Sequence, residues 1–302
     1  MFQFKDRPVT LIGLVGRTVM RSGRVSSMGS GKSTSAEMLA SRFGMCEVAL
    51  ADPLKRICME TFKFTEEQLW GPSHLRNIPD GRYSGLTPRK ALQLLGTEWG
   101  RACYPNIWIQ QLLSMHQDLM TRGFAYDRTI GLHPRKQAKY SAVVVPDVRF
   151  PNEAEAIRAA GGIIVEVRRT VETHVNDVDL KTPAHSSETS QKDITADMLD
   201  IVVLNDGSLG ELSRKMKQLV DYLSTTPAVD DTVRTELCNI ELKGIIEALP
   251  PEGPIAQEKY NEQEIDLSDN IVVVGMGKPT RRGSATPTPV SQAMQDVPPF
   301  RR

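Results

Sequence analysis

The sequence predicts an α/β fold in which helices cover both faces of a doubly wound, five-stranded parallel sheet. From residue 10 to about 223, short β-branched runs alternate with longer amphipathic runs, which is the pattern of parallel strands joined by helices. A Gly-Ser-Gly-Lys-Ser string at 29–33 follows the first β-branched run and opens an amphipathic run, as phosphate-binding loops do. At 302 residues, the chain can bury a substantial core.

Each predicted strand is a short apolar run, and the predicted helices start where residues favour a helix N-terminus. Strands are predicted at 10–16, 47–51, 141–146, 163–168 and 201–205. Helices are predicted to begin near Ser33, Pro53, Thr87, Asn106, Asn152 and Leu209. Several starts carry Ser, Thr, Asn or an early proline, which suit the first helical turn. In such a fold ligands gather at the carboxyl ends of the strands.

The chain divides into one predicted domain and a tail. Residues 1–223 form the domain, whereas 224–302 are charged and rich in proline and threonine, and are predicted to be mostly disordered. Within the tail, only a helix near 232–248 and the run Ile271–Val274 suggest order. The basic stretch 126–140 is predicted to be a solvated loop without chemistry.

Composition excludes several functional classes. With 37 basic and 37 acidic residues the chain is formally neutral, so no overall field attracts nucleic acid or an anionic membrane. The four cysteines lack metal-ligand spacing, which is typical of a reducing compartment. No apolar run approaches the roughly 18 residues of a membrane-spanning helix, and the N-terminus lacks a signal-peptide core. We therefore expect a cytoplasmic protein, monomeric or homodimeric, with no membrane or direct nucleic-acid partner.

The phosphate-loop pattern G-x-x-x-x-G-K-[ST] is present but split. Its end fits at 31–33, but the glycine expected five residues before Gly31 is Ser26. Skipping the ten residues Thr18–Ser27 restores the full pattern, with Gly16 at its start. Loop-closure entropy costs only about 0.6 kcal/mol per doubling of length, so the fold tolerates an insertion. Whether Gly16 still shapes the phosphate nest is left open.

The half of the loop after the insertion carries its chemistry. Successive backbone N–H groups and the helix N-terminus would cradle phosphate oxygens. Lys32 would add positive charge at the β- and γ-phosphates, and the hydroxyl of Ser33 would hold Mg²⁺. An ordinary flexible turn, or a defective loop on a nucleotide-binding fold, would give the same string.

Charged residues follow the third predicted strand. Asp147 could hold Mg²⁺ directly or through water, and Arg149 has bidentate reach for phosphate. The same segment also fits a helix start, with Asn152 capping and Glu153 in the first turn.

Two further groups face the predicted crevice. Asp52 follows the second strand with Lys55 on the next turn, a pair that could orient a phosphate or a sugar hydroxyl, although Asp-Pro also starts ordinary helices. Arg89, Gln93 and Arg101 recur at four and eight residues, so on an α-helix they can share one face. An exposed helix with scattered charges shows the same spacing.

Together these runs resemble the bacteriophage deoxynucleoside monophosphate kinase family. The resemblance covers about residues 8–223. It rests on Leu11–Gly16 with Gly29–Ser33, Ala51–Lys55, Thr87–Arg89 with Leu95–Glu98, and Asp147–Glu153. It implies a P-loop kinase fold and transfer of the γ-phosphoryl group of ATP to a deoxynucleoside monophosphate (dNMP), with Mg²⁺ as cofactor. The product dNDP would serve phage DNA precursor synthesis in the host cytoplasm.

The resemblance also implies roles for individual residues. A helical region at about 53–125 would bind the acceptor, and a lid at about 168–195 would contain an H-x-S-E element at 185–188. ATP-binding residues would be Gly16, Gly29, Ser30, Gly31, Lys32, Ser33 and Thr34. Catalytic residues would be Lys32, Asp147, Arg149, Arg168 and Arg169, with Ser33 and Asp147 as metal ligands. Acceptor-binding residues would be Asp52, Lys55, Arg89, Gln93, Arg101, Trp108, Glu153, His185 and Glu188.

Two alternatives stay open at this point. Kinases of other small phosphorylated acceptors, such as phosphomevalonate or dephospho-coenzyme A, share parts of the pattern. The chain could also be a nucleotide-binding protein that the insertion at 18–27 has disabled.

Overall fold

The predicted parallel sheet forms the centre of the molecule. The computed structural model describes residues 2–4, 7–20, 25–26, 29–135, 139–171, 190–224, 267–268 and 271–273. All five predicted strands are present and pair in parallel. The predicted α/β class is therefore confirmed.

The described strands number twelve, because short antiparallel strands accompany the parallel ones. They are β1 (Phe2–Phe4), β2 (Arg7–Val9), β3 (Leu11–Met20), β4 (Val25–Ser26), β5 (Cys46–Glu47), β6 (Phe124–Asp127), β7 (Gly131–Pro134), β8 (Val143–Val145), β9 (Ile163–Val171), β10 (Ile201–Leu204), β11 (Leu267–Ser268) and β12 (Ile271–Val273). The parallel strands lie in the order β5-β8-β3-β9-β10. The strand that leads to the phosphate loop, β3, is therefore central, between β8 and β9.

Helices cover both faces of the sheet. They are α1 (Lys32–Phe43), α2 (Asp52–Phe62), α3 (Glu66–Trp70), α4 (Pro88–Gln93), α5 (Ile107–Thr121), α6 (Pro151–Ala159) and α7 (Leu209–Ser224). Three short 3₁₀ segments, Ser73–Asn77, Ser190–Asp193 and Ala196–Met198, lie between them. Helix starts agree with the predicted ones within about a residue. No helix in the described ranges is long and apolar enough to span a bilayer.

The alternation of side chains along β3 separates two buried clusters. Ile12 lies in the cluster with Leu39 of α1 and Met216 of α7, on what we call the α1 face. Val15 lies in the cluster with Leu112 of α5, on what we call the α5 face. Because neighbouring residues of a strand point to opposite faces, even positions of β3 face α1 and odd ones face α5.

The insertion predicted at Thr18–Ser27 folds back as a hairpin. β3 continues past the loop position to Met20, and β4 returns beside it, with Thr18 opposite Ser26 and Val19 opposite Val25. Residues 21–24 and 27 lie outside the described ranges. The extra residues therefore lengthen the sheet at its carboxyl edge.

β9 is longer than predicted because it follows this extension of β3. The two strands stay paired as far as Met20 and Val171, so β9 ends three residues after the predicted end at 168. Arg168 and Arg169 therefore lie within a strand, and the prediction that the lid begins at them is wrong. Residues 172–189 lie outside the described ranges.

The helix predicted from Thr87 changes its geometry partway. After α4 it continues as a π-helix over Leu94–Arg101. A π-helix closes i→i+5 hydrogen bonds, so the α-helical spacing fails beyond Gln93. The prediction that Arg89, Gln93 and Arg101 share one face is wrong, since Arg89 and Arg101 contact different elements, as described below.

Two stretches outside the predicted parallel sheet contain strands, and one of them, Ile271–Val273, lies in the run of the tail for which order was predicted. Within the predicted loop 126–140, β6 and β7 form an antiparallel hairpin. In the predicted tail, β11 and β12 pair with each other, and β12 adds to the outer edge of β10. The sheet thus exceeds the five predicted strands.

Candidate active site

The phosphate loop lies between β3 and α1, at the carboxyl edge of the sheet. Gly29 and Gly31 adopt positive φ angles of 77° and 93°, which suit glycine, and α1 begins at the next residue, Lys32. The side-chain amide of Asn205, just after β10, donates to the carbonyl of Ser30 at 2.8 Å. The loop is therefore braced by the neighbouring end of the sheet.

Gly16 contacts the second half of the loop despite the ten-residue insertion. A Cβ placed on Gly16 would lie 2.4 Å from Oγ of Ser30 and 2.8 Å from Cδ of Lys32. The chain therefore extends from the loop as a hairpin and returns to it, and a side chain at position 16 would displace Ser30 or Lys32. The front and back of the split motif are adjacent in space.

The first turn of α1 presents the polar residues expected at a nucleotide. Lys32 and Thr34 are half-buried, and Ser33 is exposed. Their backbone N–H groups belong to a helix N-terminus, which carries partial positive charge. The exposed Ser33 hydroxyl fits the predicted Mg²⁺ ligand, although the described residues contain no cluster of three acidic, His or Cys side chains that could hold a metal alone.

Asp147 links the loops that follow β5 and β8. Its Oδ1 accepts from the backbone N–H of Leu50 at 2.8 Å, and its Oδ2 accepts from that of Ala51 at 3.0 Å. Burial raises the pKa of Asp147, and the charge of Arg149 opposes that rise. Since each carboxylate oxygen retains a second lone pair, Asp147 can still face a metal or its water.

Asp52 is buried at the start of α2, where it binds four protein donors. Oδ1 accepts from Nζ of Lys55 at 3.2 Å and Nε1 of Trp70 at 2.8 Å. Oδ2 accepts from the hydroxyl of Tyr126 at 2.9 Å and the N–H of Ala49 at 3.2 Å. Tyr126 belongs to the β6–β7 hairpin, so this hairpin, predicted to be without chemistry, borders the candidate site. The carboxylate of Asp52 orients these side chains rather than lying open to a nucleotide.

Three arginines from separate elements form a cluster of positive charge. Arg76 lies in the 3₁₀ segment after α3, Arg89 in α4 and Arg149 after β8. Burial lowers the pKa of Arg76, and the charges of Arg89 and Arg149 lower it further. The charge of Arg76 is therefore repelled by both of the other guanidinium groups.

Two of these arginines, Arg76 and Arg149, have no carboxylate partner in the described part of the chain. Arg76 donates to the carbonyls of Leu69 at 2.9 Å and Gly71 at 3.3 Å, and these partners are neutral. Arg149 forms no ion pair with a carboxylate of the described residues, and Arg89 donates to Ser73 at 3.2 Å and to Asn77. Arg76 lies in a polar stretch without a motif, so sequence reasoning missed it.

Arg101, in contrast, is neutralised. Its Nη1 donates to Oε1 of Glu153 at 2.9 Å, its Nη2 donates to Oδ1 of Asn152 at 2.8 Å, and its guanidinium lies 3.6 Å from the ring centroid of Phe150. Glu153 is 4% exposed, and its Oε2 also accepts from the N–H of Arg149 at 2.8 Å. Burial raises the pKa of Glu153 to about 7. The pair predicted to bind the acceptor thus joins the π-helix to α6.

Trp108 lies in the core rather than at the surface of the site. It is 8% exposed, and its indole N–H donates to the carbonyl of Gly96 at 2.9 Å. A Cβ on Gly100 would lie 2.2 Å from its ring, so Gly100 makes room for the indole. The predicted contact of Trp108 with an acceptor does not fit this position.

Of the remaining predicted site residues, three lie in the described part of the chain and two do not. Arg168 is bound by the buried carboxylate of Glu166, whereas Arg169 is exposed and Gln93 is half-buried. His185 and Glu188 lie outside the described residues, so their predicted roles have no structural account.

Comparison with known proteins supplies the family. No family model matches the chain. A protein of Acanthamoeba polyphaga mimivirus named "Putative deoxynucleotide monophosphate kinase" is 32% identical over 222 residues, which cover 72% of this chain and 98% of that protein.

Solved kinases are also similar to this chain. Shikimate kinase from Acinetobacter baumannii, in complex with shikimate, is 14% identical with a TM-score of 0.35, and covers 72% of this chain and 96% of its own. Dephospho-CoA kinase from Campylobacter jejuni is 16% identical with a TM-score of 0.35, and covers 71% and 97%. The family assignment rests on the viral relative, whose length the match spans almost completely. The chain therefore belongs to the deoxynucleotide monophosphate kinase family of this viral relative.

Proposed function

We propose that the protein transfers the γ-phosphoryl group of ATP to a deoxynucleoside monophosphate. The observation that carries the proposal is that Arg76 and Arg149, which lack a carboxylate partner among the described residues, act on each other through their charges and would receive a phosphate. Arg149 follows β8, the strand beside β3, so the cluster begins next to the phosphate loop. A phosphate-bearing acceptor suits this charge better than a neutral one.

The protein groups then act by position and charge. Lys32 and the N–H groups of the loop bind the β- and γ-phosphates of ATP, while Arg149 and Arg76 hold the acceptor phosphate. Because phosphoryl transfer has a loose transition state and the acceptor oxygen is already ionised, no strong base is required. The buried Asp52 fixes Lys55 beside this path.

Ser33 and Asp147 are the residues that would hold Mg²⁺. When bound, the ion would supply charge neutralisation of the phosphate oxygens. Asp147 would contribute while still accepting from Leu50 and Ala51, which fixes its orientation.

An acceptor panel tests the proposal. The full chain is assayed with ATP and Mg²⁺ against dNMPs, ribonucleoside monophosphates, phosphomevalonate and dephospho-coenzyme A. We expect turnover with at least one dNMP, and a loss of about 10³-fold in kcat for Lys32→Ala. Turnover with only a non-nucleotide acceptor would reject the substrate, and an unaffected Lys32→Ala variant would reject the site.

A second candidate function is nucleotide binding without transfer, caused by the insertion. The contact of Gly16 with Ser30 and Lys32 speaks against it, because the two halves of the loop meet. We expect Gly16→Ala to lower kcat/KM for ATP about 100-fold by displacing Lys32. Gly81→Ala is the control, since a Cβ there meets no atom within 4 Å.

Deleting Thr18–Ser27 separates the two candidates. If the insertion disables the loop, the intact chain is inactive and the deletion restores turnover. If the hairpin extends from the loop without disturbing it, the intact chain is active and the deletion does not increase turnover.

A further inference from the structure

Arg149 of the acceptor cluster lies in a connection without regular secondary structure. β8 ends at Val145 and α6 begins at Pro151, so residues 146–149 belong to neither element. The repeated backbone hydrogen bonds of a strand or helix therefore do not set the direction of the chain there. The placement of Arg149 in the site depends on other contacts.

Two buried side chains hold the peptide group that precedes Arg149. Its carbonyl, which belongs to Val148, accepts from Nε2 of Gln191 at 2.8 Å. Its N–H, which belongs to Arg149, donates to Oε2 of Glu153 at 2.8 Å. Because a peptide group is planar, it cannot turn without losing one of these two bonds. The two side chains therefore fix the direction in which Arg149 leaves the backbone.

Gln191 is the one of these two residues that has no role in the proposed function. It lies in the 3₁₀ segment Ser190–Asp193 and is 5% exposed. Because a carbonyl oxygen can only accept, the amide must turn its NH₂ group toward Val148. Its Oε1 has no hydrogen-bond donor among the described residues. The bond to Val148 is therefore the polar contact through which this side chain can act.

The same segment also contacts the chain next to the phosphate loop. The N–H of Ile194 donates to the carbonyl of Gln191 at 3.3 Å, which closes a turn. The carbonyl of Ile194 accepts from Nη2 of Arg17 at 3.1 Å, and Arg17 directly follows Gly16. Ile194 itself is fully buried in the cluster on the α5 face. This turn thus joins the start of the phosphate loop to the connection after β8.

We propose that Gln191 is a positioning residue for the acceptor phosphate, which acts through Arg149 and does not touch the phosphate itself. The inference rests on the proposed function, in which Arg149 binds that phosphate. Gln191 holds the peptide before Arg149 from a turn that is also bound to Arg17, and so keeps Arg149 in place relative to the phosphate loop. Small misplacements of a group that orients a reactant lower the rate of reaction strongly.

The test is Gln191→Met in the full chain, which keeps the approximate size of the side chain and removes the amide donor. We expect kcat/KM for the dNMP to fall by about tenfold or more, because Arg149 is no longer held in one direction. The dissociation constant for ATP should change less than twofold, since Lys32 and the loop amides are untouched. A kcat/KM within threefold of the wild type would overturn the inference.

Thr10→Val is the matched control for lost stability. Thr10 directly precedes β3 at the opposite, amino edge of the sheet, and its Oγ1 lies 3.0 Å from Nε2 of the half-buried His116. The variant keeps the shape of the side chain and removes this polar contact. It should leave kcat/KM within twofold at a temperature where circular dichroism shows each variant folded. An equal loss of kcat/KM in Gln191→Met and Thr10→Val would assign Gln191 a purely structural role.

A double-mutant cycle distinguishes positioning from a general loss of order. If Gln191 acts through Arg149, adding Gln191→Met to an Arg149→Met background should lower kcat/KM for the dNMP less than threefold. A loss in that background as large as the loss in the wild-type background would contradict the inference, because the effect would not depend on Arg149.

Gln191→Asn keeps the test valid if Gln191→Met does not fold. It retains an amide but withdraws it from Val148 by one methylene, so we expect the same loss of kcat/KM. Failure of both variants to fold would overturn the inference, because Gln191 would then be a requirement of the fold. A wild-type chain inactive on every dNMP would instead overturn the proposed function and this inference with it, whereas an active wild type with unaffected variants would overturn this inference alone.

Discussion

On the acceptor side of the candidate site, Arg101 differs from the cluster of Arg76, Arg89 and Arg149 in what surrounds it. Arg101 has a buried carboxylate partner in Glu153, an amide in Asn152 and an aromatic face in Phe150. Arg76 has two backbone carbonyls, and the charges of Arg89 and Arg149 lower its pKa. The spacing of Arg89 and Arg101 in the sequence predicted one shared face for them, so it did not separate the two groups.

The difference teaches that charge balance separates a structural arginine from one that can take an anion. A guanidinium already paired with a buried carboxylate gains little by binding phosphate, since it must first lose that pair. The repulsion between guanidinium groups such as those of Arg76 and Arg149, which have no carboxylate partner in the described ranges, is relieved by an incoming phosphate. The comparison therefore predicts opposite phenotypes for the two groups.

The largest expected effect is the loss of stability in Arg101→Met. Removing Arg101 leaves Glu153 buried without its partner, a change that costs about 3 kcal/mol of unfolding free energy. Urea denaturation at pH 8 measures it, and KM for the dNMP at a temperature where the variant is folded should stay within threefold. A stable variant with a raised KM would place Arg101 in the acceptor site and break the comparison.

For Arg149→Met we expect a loss of activity with little loss of stability. We expect kcat/KM for the dNMP to fall about 100-fold, which corresponds to about 2.7 kcal/mol, because the acceptor phosphate loses a charged donor. The unfolding free energy should change by less than about 0.5 kcal/mol, since no ion pair to a described carboxylate is lost.

Arg122→Met serves as the control for this variant. Arg122 is exposed and pairs with Asp118 one helical turn away, so its loss should alter neither acceptor kinetics nor stability appreciably. An Arg149→Met variant as active as Arg122→Met would remove Arg149 from the acceptor cluster.

The sequence was sufficient for the sheet and the loop because these follow from local patterns. β-branched runs and helix-start residues located all five parallel strands, and the Gly-Lys-Ser string located the start of α1. Strand ends were less predictable, since β9 reaches Val171 only because the inserted residues prolong its partner β3.

The acceptor site could not be predicted in the same way, because residues far apart in the sequence determine which of its charged side chains are paired. The pairing of Arg101 with Glu153 joins residues 52 positions apart, and a π-helix alters the face on which Arg101 lies. Arg76 and Tyr126 come from stretches without a motif, and only packing brings them to the site. Spacing rules assume a regular helix and ignore partners elsewhere in the chain.

The smallest expected effect is the pH dependence of the Arg101→Met penalty. Burial raises the pKa of Glu153 to about 7 in the folded chain, and the charge of Arg101 restrains that rise. Without Arg101 the pKa rises further, so above pH 7 the folded variant binds protons that the folded wild type has released. The penalty therefore grows with pH above 7, by at most about 1.4 kcal/mol per pH unit.

Below pH 7 the Glu153 carboxyl is protonated in both folded chains, and the contribution of the ion pair is lost. We expect the penalty of Arg101→Met at pH 8 to exceed that at pH 6 by about 1 kcal/mol, measured by urea denaturation at both values. Adding Arg101→Met to a Glu153→Gln background removes the titrating group, so the penalty there should be the same at both pH values. A penalty in the wild-type background that does not change between pH 6 and pH 8 would mean that the interaction of Arg101 with Asn152 and Phe150, rather than its charge, holds the π-helix to α6.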